Sequence, residues 1–199
     1  MKLTVNHTTR YTYSAAASYA LLQLRVCPQS SVNQTVHAWS MDMTGAQHQA
    51  SFKDQHGNHV DLVELLPDAE TVTLSVSGEI ETHNQSGIIG RHYLPMPTWF
   101  YRRQTDLTQP GETLNRLLAD LAVDQSEGLS GLHRLSAAIL DRVPYTIGQT
   151  DTLTNAEDAL KKKLGVCQDH SHIFLGAARK IGFPARYVSG YLMMNDRID

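Results

Sequence analysis

Cysteine is scarce in this sequence. Cys27 and Cys167 are the only two in 199 residues, which excludes a disulfide-stapled scaffold. Long apolar runs are also missing. No stretch approaches the ~18 residues of a membrane span, and no signal-type apolar core follows Met1-Lys2-Leu3-Thr4-Val5-Asn6-His7. The expected compartment is therefore the cytoplasm, without a membrane partner. Charge of one sign does not accumulate either: 17 Lys and Arg stand against 20 Asp and Glu. Nucleic-acid binding needs a basic stripe, and scattered cations do not make one. The densest basic run, Lys161-Lys162-Lys163, suits the last turn of a helix, where cations complement the dipole. No acidic, oxygen-rich loop is present to hold calcium. His170 and His172 find no second ligand pair at metal-binding spacing. No metal and no cofactor are expected.

What is present has the balance of a globular protein, 41% apolar and 19% charged, in a length suited to one large domain or two small ones. The hydrophobic period changes along the chain. In Thr71-Val72-Thr73-Leu74-Ser75-Val76-Ser77 every second residue is apolar, the pattern of a strand with one buried face. Leu3 to Tyr13, Tyr19 to Val26, Thr35 to Met43, Gln49 to Lys53 and Val60 to Leu66 are further strand candidates. Cys27 falls at the end of one of them, as a structural thiol. Asp54-Gln55-His56-Gly57-Asn58 reads as a hairpin turn, with Gly57 or Asn58 supplying a positive φ. The His56-Gly57-Asn58-His59 stretch is accordingly a polar turn. The fold class expected is α+β, with an antiparallel β-sandwich-like domain over residues 1–95. A Pro-rich connector follows over 96–110, holding Pro97 and Pro110, and a helical core occupies 111–199.

In that core Leu114, Leu117, Leu118 and Leu121 form one apolar face, and Leu132, Leu135, Ile139 and Leu140 another. Pro144 stops the second helix. Thr154-Asn155-Ala156-Glu157 matches a capping box that starts a third, and Gly165 fits the left-handed position that ends it. A fourth helix begins near Cys167, with Ile173, Phe174, Ala177, Ala178 and Ile181 on one face and Gly182 at its end. Ala185 to Leu192 reads as a strand.

Cys167 thus sits at a helix start, where free N–H groups and the dipole favour thiolate over thiol. Thiolate is the attacking species in acyl transfer, and the same amides can hold an oxyanion. A small buried core residue is the alternative for a cysteine so placed. A nucleophilic cysteine also needs a base. His170 follows the Ile173–Phe174 face and is expected to pack, and His172 is expected either at the surface or as a residue supporting the site.

The run Gly165-Val166-Cys167-Gln168-Asp169-His170, with Arg179 and then Gly182-Phe183-Pro184-Ala185-Arg186-Tyr187-Val188-Ser189-Gly190-Tyr191, closely resembles the transglutaminase-like family of papain-like cysteine enzymes. Val143-Pro144-Tyr145 and Thr154 to Leu160 resemble the family's lead-in to its cysteine. The β-rich first half is similar to the N-terminal region of many bacterial members. The resemblance implies a papain-like core and a Cys-His-Asp triad with Cys167 as nucleophile. It also implies a peptide or protein substrate whose amide bond is hydrolysed or transamidated. Tyr145, Gln168, Asp169 and His170 become candidates for the rim of the site or for residues supporting it. The family's histidine lies in a His-Ala-Trp motif after the Tyr-Val-Ser-Gly-Tyr strand and its aspartate in an Asp-Pro motif. Neither motif follows Tyr191 here, and Asp196 and Asp199 receive no role. His37-Ala38-Trp39 spells the tripeptide ahead of the cysteine and reads as coincidence within a strand. The core is therefore expected to be incomplete, the chain an N-terminal fragment inactive alone. An unpaired strand edge would be a route to a homodimer. The competing function is a non-catalytic module that binds peptide or protein through the β-rich domain.

Overall fold

The computed structural model describes residues 1–15, 19–87 and 95–191. The chain divides into two compact units, Met1–Met96 and Pro97–Asp199.

Among the described residues the first unit holds six strands: β1 Lys2–Thr12, β2 Leu21–Leu24, β3 Gln34–Thr44, β4 Ala46–Lys53, β5 His59–Leu65 and β6 Thr71–Thr82. They form two antiparallel sheets, ordered β1-β6-β3 and β2-β5-β4. The alternation in β6 explains why two layers form. Val72, Leu74 and Val76 turn to one side and are buried. Val72 and Leu74 share a cluster with Leu24, Ala46, Val63 and Leu65 of the other sheet, so the two sheets bury one common core. The chain crosses between sheets at Gly45, whose φ of +78° and 2.2 Å separation between an ideal Cβ and the Thr71 carbonyl oxygen require glycine. In the β4–β5 hairpin the positive φ falls on Gly57, at +80°. Asp54 organises that turn, accepting from the His56 and Asn58 amides, each at 2.9 Å, and from Arg25 Nε at 2.8 Å. Burial works against its ionisation, yet these hydrogen bonds, led by that of Arg25, hold the Asp54 carboxyl well below the usual carboxylate range. His37-Ala38-Trp39 lies on β3 beside a bulge, where His37 Nε2 meets Glu81 Oε2 at 3.0 Å.

The second unit holds α1 Glu112–Leu121, α2 Gly128–Arg142, α3 Ala156–Lys162 and α4 Cys167–Lys180. Leu114, Leu117, Leu135 and Ile173 are completely buried in its core. Each is worth about 1.5–3 kcal/mol of transfer free energy. Leu140 departs from the expected apolar face: it is 57% exposed, one position past the buried Ile139. Leu132 is half-buried.

Three local expectations are corrected. The cap of α3 is Asn155, which accepts from the Asp158 amide at 2.9 Å, while Asp158 accepts from Asn155 Nδ2 at 2.9 Å. Thr154 instead donates to Asp151 Oδ1 at 3.0 Å. Glu157 turns away to α1, where it accepts from the Thr113 and Leu114 amides at 2.8 and 3.1 Å. The left-handed residue ending α3 is Lys163, with φ of 55°, and Gly165 has no positive φ. Finally, residues 185–191 form no strand. A strand exists only through a hydrogen-bonded neighbour, and among the described residues of this unit no strand lies alongside. Ala185 is held instead by its amide on the Tyr101 carbonyl at 3.0 Å and by the Arg179 guanidinium on its own carbonyl. Leu192, Asp196 and Asp199 lie outside the described residues.

Candidate functional site

Cys167 is the first residue of α4, after the extended N-cap residue Val166, and it is exposed. That combination follows from what lies on either side of it. Gly165 forms a parallel bridge with Tyr145, and the Thr146 amide donates to the Gly165 carbonyl at 2.8 Å. The segment after α2 therefore runs beside the approach to α4. Asp169, two residues past the cysteine and only 1% exposed, fixes the turn. Its Oδ2 accepts from the Val166 amide at 2.8 Å and from Thr150 Oγ1 at 2.7 Å. This is the carboxylate half of a capping box; valine, without an acceptor, offers no reciprocal half. An ideal Cβ at Gly165 would stand 2.8 Å from Asp169 Cβ and 3.0 Å from Oδ2. Close approach to a buried carboxylate, rather than a left-handed backbone, is what this glycine provides.

The first-turn amides of α4 have no carbonyl a turn earlier to bond, and the positive end of the helix dipole lies there. Among the described residues the Cys167 thiol makes no hydrogen bond. The neighbouring imidazoles are engaged elsewhere. His170 Nε2 donates to the Val143 carbonyl at 2.6 Å, and its ring meets the Tyr145 ring edge-on, with centroids 6.4 Å apart. It ties the end of α2 to α4, in keeping with a packing role. Of the two places expected for His172, the surface is excluded. The residue is buried, tilted against Tyr187 with 5.8 Å between centroids, and its Nδ1 has no partner among the described residues. Leu175, Gly176, Ala177 and Ala178 are buried in succession, so α4 is covered on more than one face and position 172 falls inside. Gln168 is half-buried and Tyr145 is 49% exposed, so both are accessible near the start of α4.

The structure thus brings Cys167, Gln168, Asp169, His170 and Tyr145 into one neighbourhood. Thr150 and Val143 complete it through their hydrogen bonds to Asp169 and His170; Val143 belongs to the Val143-Pro144-Tyr145 lead-in, whereas Thr150 carried no signal in the sequence. Cys27 is remote in kind: half-buried in the β unit, its thiol is pushed up by burial and further by the nearby Asp61 carboxylate. Among the described residues no group of His, Cys, Asp or Glu is arranged to hold a metal ion, and no helix is long and apolar enough to cross a membrane.

The chain is 27% identical to an uncharacterized protein of Mycobacterium leprae, over 96% of its own length and 71% of the relative's. It is 24% identical to an uncharacterized protein of Mycobacterium tuberculosis, over 94% of its own length and 65% of the relative's. A crystal structure described as "a Putative Cysteine Protease" from Cytophaga hutchinsonii superposes with a TM-score of 0.72 at 16% identity, over 92% of this chain and 65% of that one. That likeness shows a shared fold. Residues 3–81 match the family model of the bacterial transglutaminase-like N-terminal region, and residues 115–198, which include the whole start of α4, match that of the transglutaminase-like superfamily. Each half of the chain therefore matches a transglutaminase-like family model, the first that of the bacterial N-terminal region and the second that of the superfamily.

Proposed function

We propose that the protein is a cysteine-dependent hydrolase of amide bonds in peptides or proteins, with Cys167 as its nucleophile. The observation that carries this reading is the exposed thiol at the first position of α4, within the superfamily's core. The thiolate attacks the carbonyl carbon, and the oxyanion that forms is held by first-turn amides of the helix. The carbon–nitrogen bond then breaks. The leaving amine takes a proton, and a thioester remains on Cys167. Water attacks the thioester, releases a carboxylic acid and restores the thiol. An amine in place of water would give transamidation. Hydrolysis is preferred because water is always present.

The proton acceptor for Cys167 is proposed to come from outside the described residues. His170 is bonded to the Val143 carbonyl and His172 is buried against Tyr187. Asp169 acts as a positioning residue: it is fully buried and reaches the Val166 amide, not the thiol. Tyr145 and Gln168 line the approach of the substrate. The test is release of new amino termini from a mixed peptide library by the full-length protein. Cleavage is expected with the parent and with Cys27→Ala, and none with Cys167→Ala. Undiminished cleavage by Cys167→Ala would overturn the proposal.

A further inference from the structure

The opposite end of α4 carries a second polar feature that the acyl-transfer reading does not use. A cavity of about 310 Å³ is lined by Arg102, Gln104, Gln109, Pro110, Arg179 and Lys180. Three of these six residues are cationic and none is acidic. None of the three cations takes part in an ion pair among the described residues, whereas Arg116, Arg134 and Arg142 of the same unit all do.

Arg179 is the anchor. It is half-buried, and burial alone pulls its guanidinium down from its ordinary value. Nε and Nη2 donate to the Ala185 carbonyl at 3.1 and 2.8 Å, and Nη1 donates to Thr108 Oγ1 at 3.1 Å. These are neutral partners. They fix the plane of the guanidinium but leave its charge uncompensated, and two of its five donors remain available. The wall is fixed as well. Gln104 Nε2 donates to the Gly176 carbonyl at 2.9 Å, and at Gly176 an ideal Cβ would stand 2.3 Å from the Thr108 carbonyl oxygen. The loop carrying Gln104 and Thr108 is therefore pressed directly on α4. Basic residues at a helix C-terminus are ordinarily explained by the dipole. Arg179 does not serve that purpose, because its side chain reaches forward to Ala185 and across to Thr108.

A partly buried, orientationally fixed charge without a counter-ion is unfavourable unless an anion reaches it. We propose that the cavity lined by Arg102, Arg179 and Lys180 binds a multiply charged oxyanion of the phosphate class. Planar donors on Arg102 and Arg179 match its oxygens, and Lys180 adds charge. The site lies about 18 Å along α4 from Cys167, at about 1.5 Å per residue. It is therefore separate from the thiol and does not depend on the hydrolase reading.

The test uses calorimetric titration of the full-length protein with sodium pyrophosphate at low ionic strength. The comparison protein is the double variant Arg102→Gln, Lys180→Gln, whose two side chains are exposed and make no ion pair among the described residues. Saturable binding by the parent is expected, weakened about tenfold or more in the variant. Arg179→Lys, which retains charge but loses the planar fork, is expected to weaken it as well. Three results would overturn the proposal: no saturable binding, equal affinity in parent and double variant, or saturation by a polyglutamate peptide but not by pyrophosphate.

Discussion

Replacing Glu157 by glutamine tests how the helical unit is held together. Glu157 belongs to α3, yet its carboxylate closes the start of α1, accepting from the Thr113 and Leu114 amides at 2.8 and 3.1 Å. The N-cap of α1 is Gly111, which has no side chain to do this, and an ideal Cβ there would fall 2.4 Å from Glu157 Cδ. The glycine makes room for a cap supplied from another helix. A hydrogen bond to a charged acceptor contributes about 1.5–3 kcal/mol. Glutamine keeps one neutral acceptor and turns an NH₂ group toward the other amide. The expected loss is about 2–3 kcal/mol at pH 7, or a midpoint lower by about 1–2 M in urea. The Lys161 contact at 3.6 Å adds little, since that lysine is 58% exposed, and Lys161→Ala should be near neutral.

The same carboxylate predicts a pH dependence. Burial opposes its ionisation, but the Thr113 and Leu114 hydrogen bonds outweigh burial and hold its folded value below the ordinary 4.5. A group lowered on folding stabilises fully above its unfolded value and loses that contribution as pH falls through the folded one. The parent's advantage over Glu157→Gln should therefore be complete at pH 7 and should shrink as pH falls below about 4.5. Urea unfolding followed by circular dichroism at 222 nm, at both pH values, measures it. Equal midpoints for the two proteins at pH 7 would refute the reasoning.

Two further outcomes are expected. Iodoacetamide should alkylate Cys167 about tenfold or more faster than Cys27 in the folded protein, because Cys167 is exposed while the half-buried Cys27 thiol is pushed up by burial and by Asp61; peptide mapping that finds equal rates would contradict this. Gly165→Ala should cost about 1–3 kcal/mol, since its Cβ would press on Asp169 Cβ at 2.8 Å and disturb the start of α4; an unchanged thermal midpoint would show that the close approach is not tight.

The parts of the fold legible in the sequence were those written in a repeating period. The six strands of the β unit, and the helices carrying Leu114, Leu117, Leu135 and Ile173, follow from periods of two and 3.6. Cys167 at the start of a helix was legible too, because glycine before it and an amphipathic run after it are both local signals. What was hidden depends on partners distant in sequence. Glu157 looked like the second half of a local capping box, and only packing reveals that it serves α1. Leu140 satisfied the helical period but lies past the edge of the buried face. A surface place for His172 fits its position on the helix, but its burial comes from elements on more than one side of α4. The alternating run after Pro184 has strand composition, but composition cannot supply a neighbour.

Position and exposure pull apart at the start of α4, and that bears on the reading of Cys167. Residues that hold a helix start in place are normally buried, and residues open to solvent there are normally loosely held. Here the two properties are divided between neighbours. Asp169 takes the buried, anchoring position, bonded to Val166 on one side of the cysteine and to Thr150 from another segment. Gly165 takes the packing contact that leaves no room for a side chain, and His170 binds the turn to the end of α2. The thiol is left exposed and unbonded among the described residues, on backbone constrained from both directions. A thiol kept only for packing needs none of this, since burying it would be simpler. A nucleophile needs both properties at once: access for a carbonyl and a direction fixed before the carbonyl arrives. The arrangement around Cys167 therefore favours a reacting group over a core residue.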